Sequence, residues 1–124
     1  MACIDLTIDN YNDALNEHEV LIIHFCVPSY DECSESTTTF DKLTEKHADI
    51  VFAKVDTQEN AALAAKFAIK EVPTMAVARE GVMVYKEDGV VLSEDDLNYV
   101  IQKVKELDMA TVHAEVKEMQ KSTK

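Results

Sequence analysis

Two rhythms of apolar and polar residues run along this chain. Val20 to Val27 is a continuous apolar run, interrupted only by His24, and too short for most helices. It reads as a central buried strand. Val51-Phe52-Ala53-Lys54-Val55 reads as a second central strand, and Ile4 to Ile8 as a shorter one. Between them the period lengthens. Asn10 to Glu19 carries Tyr11, Ala14 and Leu15 on a helical face, and Ser29 to Ala48 sets Phe40, Leu43 and His47 at spacings of three and four. Asn60 to Phe67 is an Ala-rich helix. Pro73 opens a strand from Thr74 to Arg79, Glu80-Gly81 makes a tight turn, and Val82 to Glu87 returns as a hairpin strand. Ser93 caps a helix through Leu107, with Asp95 and Asp96 in its first turn, where the dipole favours them.

The predicted order is β-α-β-α-β-α-β-β-α. Alternation in the first part implies parallel strands joined by crossover helices, and the late hairpin adds an antiparallel edge. The expected architecture is therefore α/β and three-layered, with a mixed central sheet flanked by helices. It occupies residues 1–107. Residues 108–124 form a helical extension or frayed tail, in which Met109, Val112, Val116 and Met119 make a narrow apolar stripe. Tail pairing between chains would make a homodimer, and packing on the body a monomer. The shortness of the stripe favours the monomer.

Length and charge narrow the function. At 124 residues the chain suits one domain, and 47% apolar content suffices for a core. A net charge of −12 argues against nucleic acid and anionic membrane surfaces as partners. Residues 102–124 hold five Lys against three Glu and one Asp, so the negative charge lies in the body. No stretch is long enough for a transmembrane helix, and MACIDLTIDN lacks the features of a secretory signal, so a cytoplasmic location is expected. Cys3, Cys26 and Cys33 form an odd, sparse set that suggests no disulfide framework and lacks zinc-ligand spacing. Neither a metal nor a cofactor is called for.

The ordered motifs resemble the thioredoxin family. "LIIHFCVPSYDEC" is similar to that family's strand and active-site loop, V-D-F-W-A-x-W-C-G-P-C. "VFAKVDTQEN" resembles its next strand and acidic turn, and "EVPTMAVAREG" its I-P-T segment and hairpin. Gly81 and Gly89 fall at the hairpin and bulge glycines. The resemblance covers about residues 3–107 and implies a cis bond before Pro73. It also implies that Val72, Pro73 and Thr74 expose backbone to an extended substrate chain. The family's buried aspartate falls on His24 and its lysine partner on Lys54.

The departures from the pattern set the functional expectation. Counted from Phe25, the family's nucleophilic cysteine falls on Tyr30 and its resolving cysteine on Cys33, so CGPC becomes Tyr30-Asp31-Glu32-Cys33. A dithiol reductase needs one thiol to attack and another to resolve, and a phenol with a pKa of about 10 does neither. Ser29 to Glu32 fits the S-x-x-E capping box, as if a reactive loop had become a helix start. The expectation is a degenerate active site without conventional dithiol reductase activity, in a non-catalytic module binding protein or extended peptide. Its binding surface would comprise Ser29, Tyr30, Asp31, Val72, Pro73 and Thr74. The alternative is a single-thiol redox protein using Cys33, with Cys26 as an occasional disulfide partner and His24 and Lys54 modulating the thiol. A Cys26–Cys33 disulfide requires Cα atoms within about 7 Å, which the spacing leaves open. A third idea, an acidic cation-binding module, lacks any calcium-loop pattern.

Overall fold

The computed structural model describes residues 3–27, 29–47, 49–89 and 93–122. Five strands form one sheet in the order β1-β3-β2-β4-β5: β1 (Cys3–Asp5), β2 (Val20–Cys26), β3 (Val51–Asp56), β4 (Thr74–Arg79) and β5 (Val82–Asp88). β3 runs parallel to both β1 and β2, while β4 is antiparallel to both β2 and β5. The helices are α1 (Tyr11–Glu17), α2 (Asp31–Lys46), α3 (Ala61–Lys66), α4 (Glu94–Lys105) and α5 (Met109–Ser122). The mixed, three-layered α/β architecture expected from the sequence is the thioredoxin fold seen here.

Strand period two divides the core into two layers. Val20 and Ile22 of β2 pack with Phe52, Met75 and Val77 against Phe40 and Leu43 of α2 and Leu97 and Ile101 of α4. Leu21, Ile23 and Phe25 face the other way, with Ala53, Val55, Ala76 and Ala78, against Tyr11 and Ala14 of α1 and Leu63 of α3. Every residue of β2 is buried.

The hairpin turn places both Glu80 (φ 51°) and Gly81 (φ 81°) in the left-handed region, which suits the twist of a two-residue connection. At the far end of β5, Gly89 (φ 68°) donates its N–H to the Pro73 carbonyl at 2.9 Å, and a Cβ there would collide with the Glu71 carboxylate. Arg79 donates from Nη1 to the carbonyls of Val104, Lys105 and Leu107, fastening β4 to the end of α4. Beyond it Met109 is buried, His113 meets Glu80 at 2.9 Å, and Met119 is exposed. Among the described residues no helix is long and apolar enough to cross a membrane.

Several boundaries differ from those expected. β1 ends at Asp5 because Asn10 folds back, accepting from Thr7 N and donating to the Asp5 carbonyl. The helix begins one residue later than a capping box at Ser29 requires. Tyr30 N–H bonds to the Val27 carbonyl at 3.0 Å, which turns the chain so that Tyr30 is the N-cap, without a side-chain cap bond. The side chain of Glu32, the end of α2 at Ala48, and Thr123-Lys124 at the tail lie outside the described residues. Ser93 does cap α4, accepting from Asp96 N at 3.1 Å. Ser93→Ala is therefore expected to lower stability by about 0.5–2 kcal/mol. Ser29→Ala should change it by less than about 0.5 kcal/mol. Urea midpoints of the two variants test this contrast.

Candidate active site

The site forms where β2 hands the chain to α2. Alternation along β2 turns Ile22, His24 and Cys26 toward α2. Cys26 is the last residue of the strand, and Cys33 lies in the first turn of the helix. The two are joined by a disulfide with Cα atoms 5.7 Å apart, inside the usual span of about 4.4–6.8 Å. The distance left open by the sequence is thus short enough. Cys33 is 1% exposed and accepts from Val27 N–H at 3.3 Å, whereas Cys26 is 8% exposed. The Cys26 carbonyl accepts from Thr57 N, which ties the strand end to the turn after β3.

His24 lies directly beneath this bond. Its Nε2 is 3.3 Å from Cys26 Sγ and 2.6 Å from Ser36 Oγ, and its ring stacks on Phe40 with centroids 5.2 Å apart. The ring is buried, and burial first, with the charge of Lys54 second, lowers its pKa from 6.5 to about 4, against a smaller opposing effect of Asp41. Lys54 pairs with His24 in register across β2 and β3 and reaches Asp41 of α2 at 3.0 Å. The hydroxyl that the sequence did not reveal is that of Ser36, buried on the inward face of α2.

Two depressions flank the loop between the cysteines. A cleft of about 630 Å³ is lined by His24, Cys26, Cys33, Thr37, Lys54 and Asp56 among others. A groove of about 730 Å³ on the other side is lined by Tyr30, Val72 and Pro73. Among the described residues the two share no lining residue. The Val72–Pro73 bond is cis, as the resemblance implied. Tyr30 is half-exposed. Ser29, Asp31 and Thr74 do not line the groove, and Thr74 is fully buried, with its hydroxyl near the Glu71 carbonyl (2.5 Å) and Asp88 Oδ1 (3.2 Å). The side chain of Cys3 lies outside the described residues. Among those described, no group of three or more His, Cys, Asp or Glu is placed to hold a metal ion.

A sequence profile described as "Thioredoxin" matches residues 2–119. The chain belongs to the thioredoxin family. It is 33% identical over 117 residues to "Putative thioredoxin 2" of Streptomyces coelicolor, covering 94% of this chain and 87% of that protein. It is also 34% identical over 80 residues to protein disulfide-isomerase 1 of Caenorhabditis elegans, covering 61% of this chain and 16% of that longer protein. A mutant thioredoxin from Halobacterium salinarum superposes with a TM-score of 0.78 at 25% identity, covering 85% of this chain and 92% of that one.

Membership and the disulfide together correct the functional expectation. Tyr30 does stand where a cysteine was expected, but dithiol chemistry is not lost with it, because Cys26 supplies the second thiol. The readings of a degenerate site, a non-catalytic binding module and a single-thiol protein using Cys33 fail on that bond. So does the expectation that the chain is no conventional dithiol reductase. The Cys26–Cys33 pairing that the sequence left open is the one that forms, and it carries more weight than the loss of a cysteine at Tyr30.

The low pKa of His24 has a stability consequence. The unfolded chain takes up a proton near pH 6.5 and the folded ring only near pH 4, so stability rises with pH across that window. His24 contributes no pH dependence above 6.5. As pH falls from 6.5 to 4 it costs up to about 3 kcal/mol. The urea midpoint of the native protein should fall over that range by more than that of His24→Gln, whose side chain does not titrate. Parallel curves would refute the assignment.

Proposed function

We propose that this thioredoxin-family chain is a dithiol–disulfide oxidoreductase acting on protein disulfides, with Cys26 and Cys33 as its redox couple. The observation that carries this reading is the Cys26–Cys33 disulfide across the start of α2. Cys26 is the attacking thiol. It is the more exposed of the two residues, 8% against 1%, and its sulfur lies beside His24, while both cysteines border the cleft. Cys33 is the resolving thiol, buried where the Val27 N–H can steady its sulfur.

In the reduced protein the Cys26 thiolate attacks one sulfur of a substrate disulfide. A mixed disulfide forms, and the other substrate sulfur leaves as a thiolate that takes up a proton. Cys33, losing its own proton, then attacks Cys26. The Cys26–Cys33 bond forms, and the second substrate sulfur departs as a thiol. Two electrons and two protons pass to the substrate, and an external dithiol must reduce the chain again. The chain flanking the substrate disulfide docks at the groove of Tyr30, Val72 and Pro73, with Ser29, Asp31 and Thr74 supporting the loop and strand that frame it. The same reading takes residues 1–107 as the redox domain of a cytoplasmic monomer. Residues 108–124 extend it in cis, which the burial of Met109 and the His113–Glu80 contact support.

Insulin reduction driven by dithiothreitol tests the couple. The native chain should precipitate insulin well above the uncatalysed background, and Cys26→Ser and Cys33→Ser should each fall to background. Cys33→Ser should also accumulate a mixed disulfide through Cys26 that Cys26→Ser does not form. Full activity in either serine variant would remove Cys26 and Cys33 from the reaction.

A further inference from the structure

Ser36 is a buried hydroxyl that the dithiol reaction does not by itself require. It is 2% exposed on the face of α2 that packs against the sheet. A mid-helix serine commonly bonds back to the carbonyl four residues earlier. Ser36 reaches across to β2, with Oγ 2.6 Å from His24 Nε2. That nitrogen is also the one 3.3 Å from Cys26 Sγ. One ring nitrogen thus faces a sulfur on one side and a hydroxyl on the other, while Phe40 stacked on the ring limits its tilt.

We propose that Ser36 is a positioning residue for thiol activation: it holds the His24 imidazole so that Nε2 accepts the Cys26 proton as the thiolate forms. This rests on the reading of Cys26 as the attacking thiol. In the disulfide state Cys26 carries no proton, and the Ser36 hydroxyl donates to the Nε2 lone pair. Once the disulfide is reduced, the Cys26 S–H competes for that lone pair. A hydroxyl serves as donor or acceptor by rotating, so Ser36 can follow the change without moving its oxygen. The proton passes from Cys26 Sγ to Nε2, and Nε2–H then donates to Ser36 Oγ. The thiolate attacks the substrate disulfide, the substrate S–S bond breaks, and the departing substrate thiolate takes the proton from Nε2. His24 ends neutral, and no proton or electron is left over.

The surroundings suit this transient role. The charged groups facing His24 are Lys54 from β3 and Asp41 from α2, paired with one another. Across on β4 the register neighbour is uncharged Met75. Asp5, Asp56 and Glu59 line the cleft beyond. Burial and Lys54 keep the resting imidazole neutral, so its lone pair is available. Those influences oppose the protonated ring, and a neutral acceptor oxygen at Ser36 offsets part of the cost.

The test is the pH dependence of iodoacetamide alkylation at Cys26 in the reduced full-length chain, located by peptide mass. Ser36→Ala should raise the midpoint by about one pH unit, the worth of one hydrogen bond to a charged group. In a His24→Gln background the same substitution should produce no further shift, because its effect runs through the imidazole. An unchanged midpoint in Ser36→Ala, or equal shifts in both backgrounds, would overturn the proposal. Should the alanine variant fail to fold, ring-nitrogen NMR of native His24 decides. A change in the Nε2 signal on reduction supports the exchange of partners, and no change overturns it. Insulin reduction separates this from the reading beneath it. A failed couple abolishes insulin reduction in the native chain, while a failed Ser36 role leaves that activity intact and the alkylation midpoint fixed.

Discussion

Complete burial of β2 on both faces is the constraint on which this molecule rests. A central strand with neighbours on both edges and helices above and below leaves no side chain an exit to solvent. Six of its seven residues are apolar or sulfur-bearing, and the exception is His24. Period two sends that imidazole under α2, where it must find partners or remain an uncompensated polar group. The contacts with Ser36, Cys26 and Phe40 follow from that requirement. Because the strand stays buried to its last residue, Cys26 reaches the helix start with only a small part of its surface open. That placement favours a guarded thiol over a freely reactive one.

The disulfide closes a loop of sequence separation seven. In the chain-entropy view such a short loop restrains the unfolded chain less than a long one would. Its larger effect here is local. It fixes the end of β2 against the first turn of α2 and sets the walls of the cleft beside it. The N–H of Val27 donates to Cys33 Sγ and the carbonyl of Cys26 accepts from Thr57 N–H, so the backbone on the strand side is held both by a sulfur of the couple and by the turn after β3.

Most of the fold was legible because its signals are local. The apolar runs at Val20 and Val51, the turn at Glu80-Gly81 and the cap at Ser93 each occupy a few residues, and each gave the right element. The misread start of α2 shows how such signals fail. Ser29 to Glu32 has the letters of a capping box, but the turn from Val27 to Tyr30 decides where the helix begins, and that turn carries no distinctive composition. The site was less legible because its contacts cross elements. Family register put His24 near Cys33, and the structure puts its ring nitrogen beside Cys26. Pairing of Cys26 with Cys33 depends on how closely the helix start folds over the strand end, which spacing does not encode. Ser36 carried a faint signal, for it stands in the stripe of Cys33, Phe40 and Leu43 at helical intervals. A polar residue in an apolar stripe is a mark of a buried partner.

Among the described residues, the two depressions beside the active loop have walls with no residue in common. The residues around Pro73 come from α3 and the approach to β4 together with Tyr30, Thr57 and Gly89, and those around the sulfurs from β1, β2, β3, α2 and the segments that follow β1 and β3. Yet Tyr30, between the two cysteines, and Thr57, whose N–H holds the Cys26 carbonyl, belong to the groove and tie it to the sulfurs. The chain can therefore change more freely along α3 than at Tyr30 or Thr57, where a substitution reaches the surroundings of the disulfide.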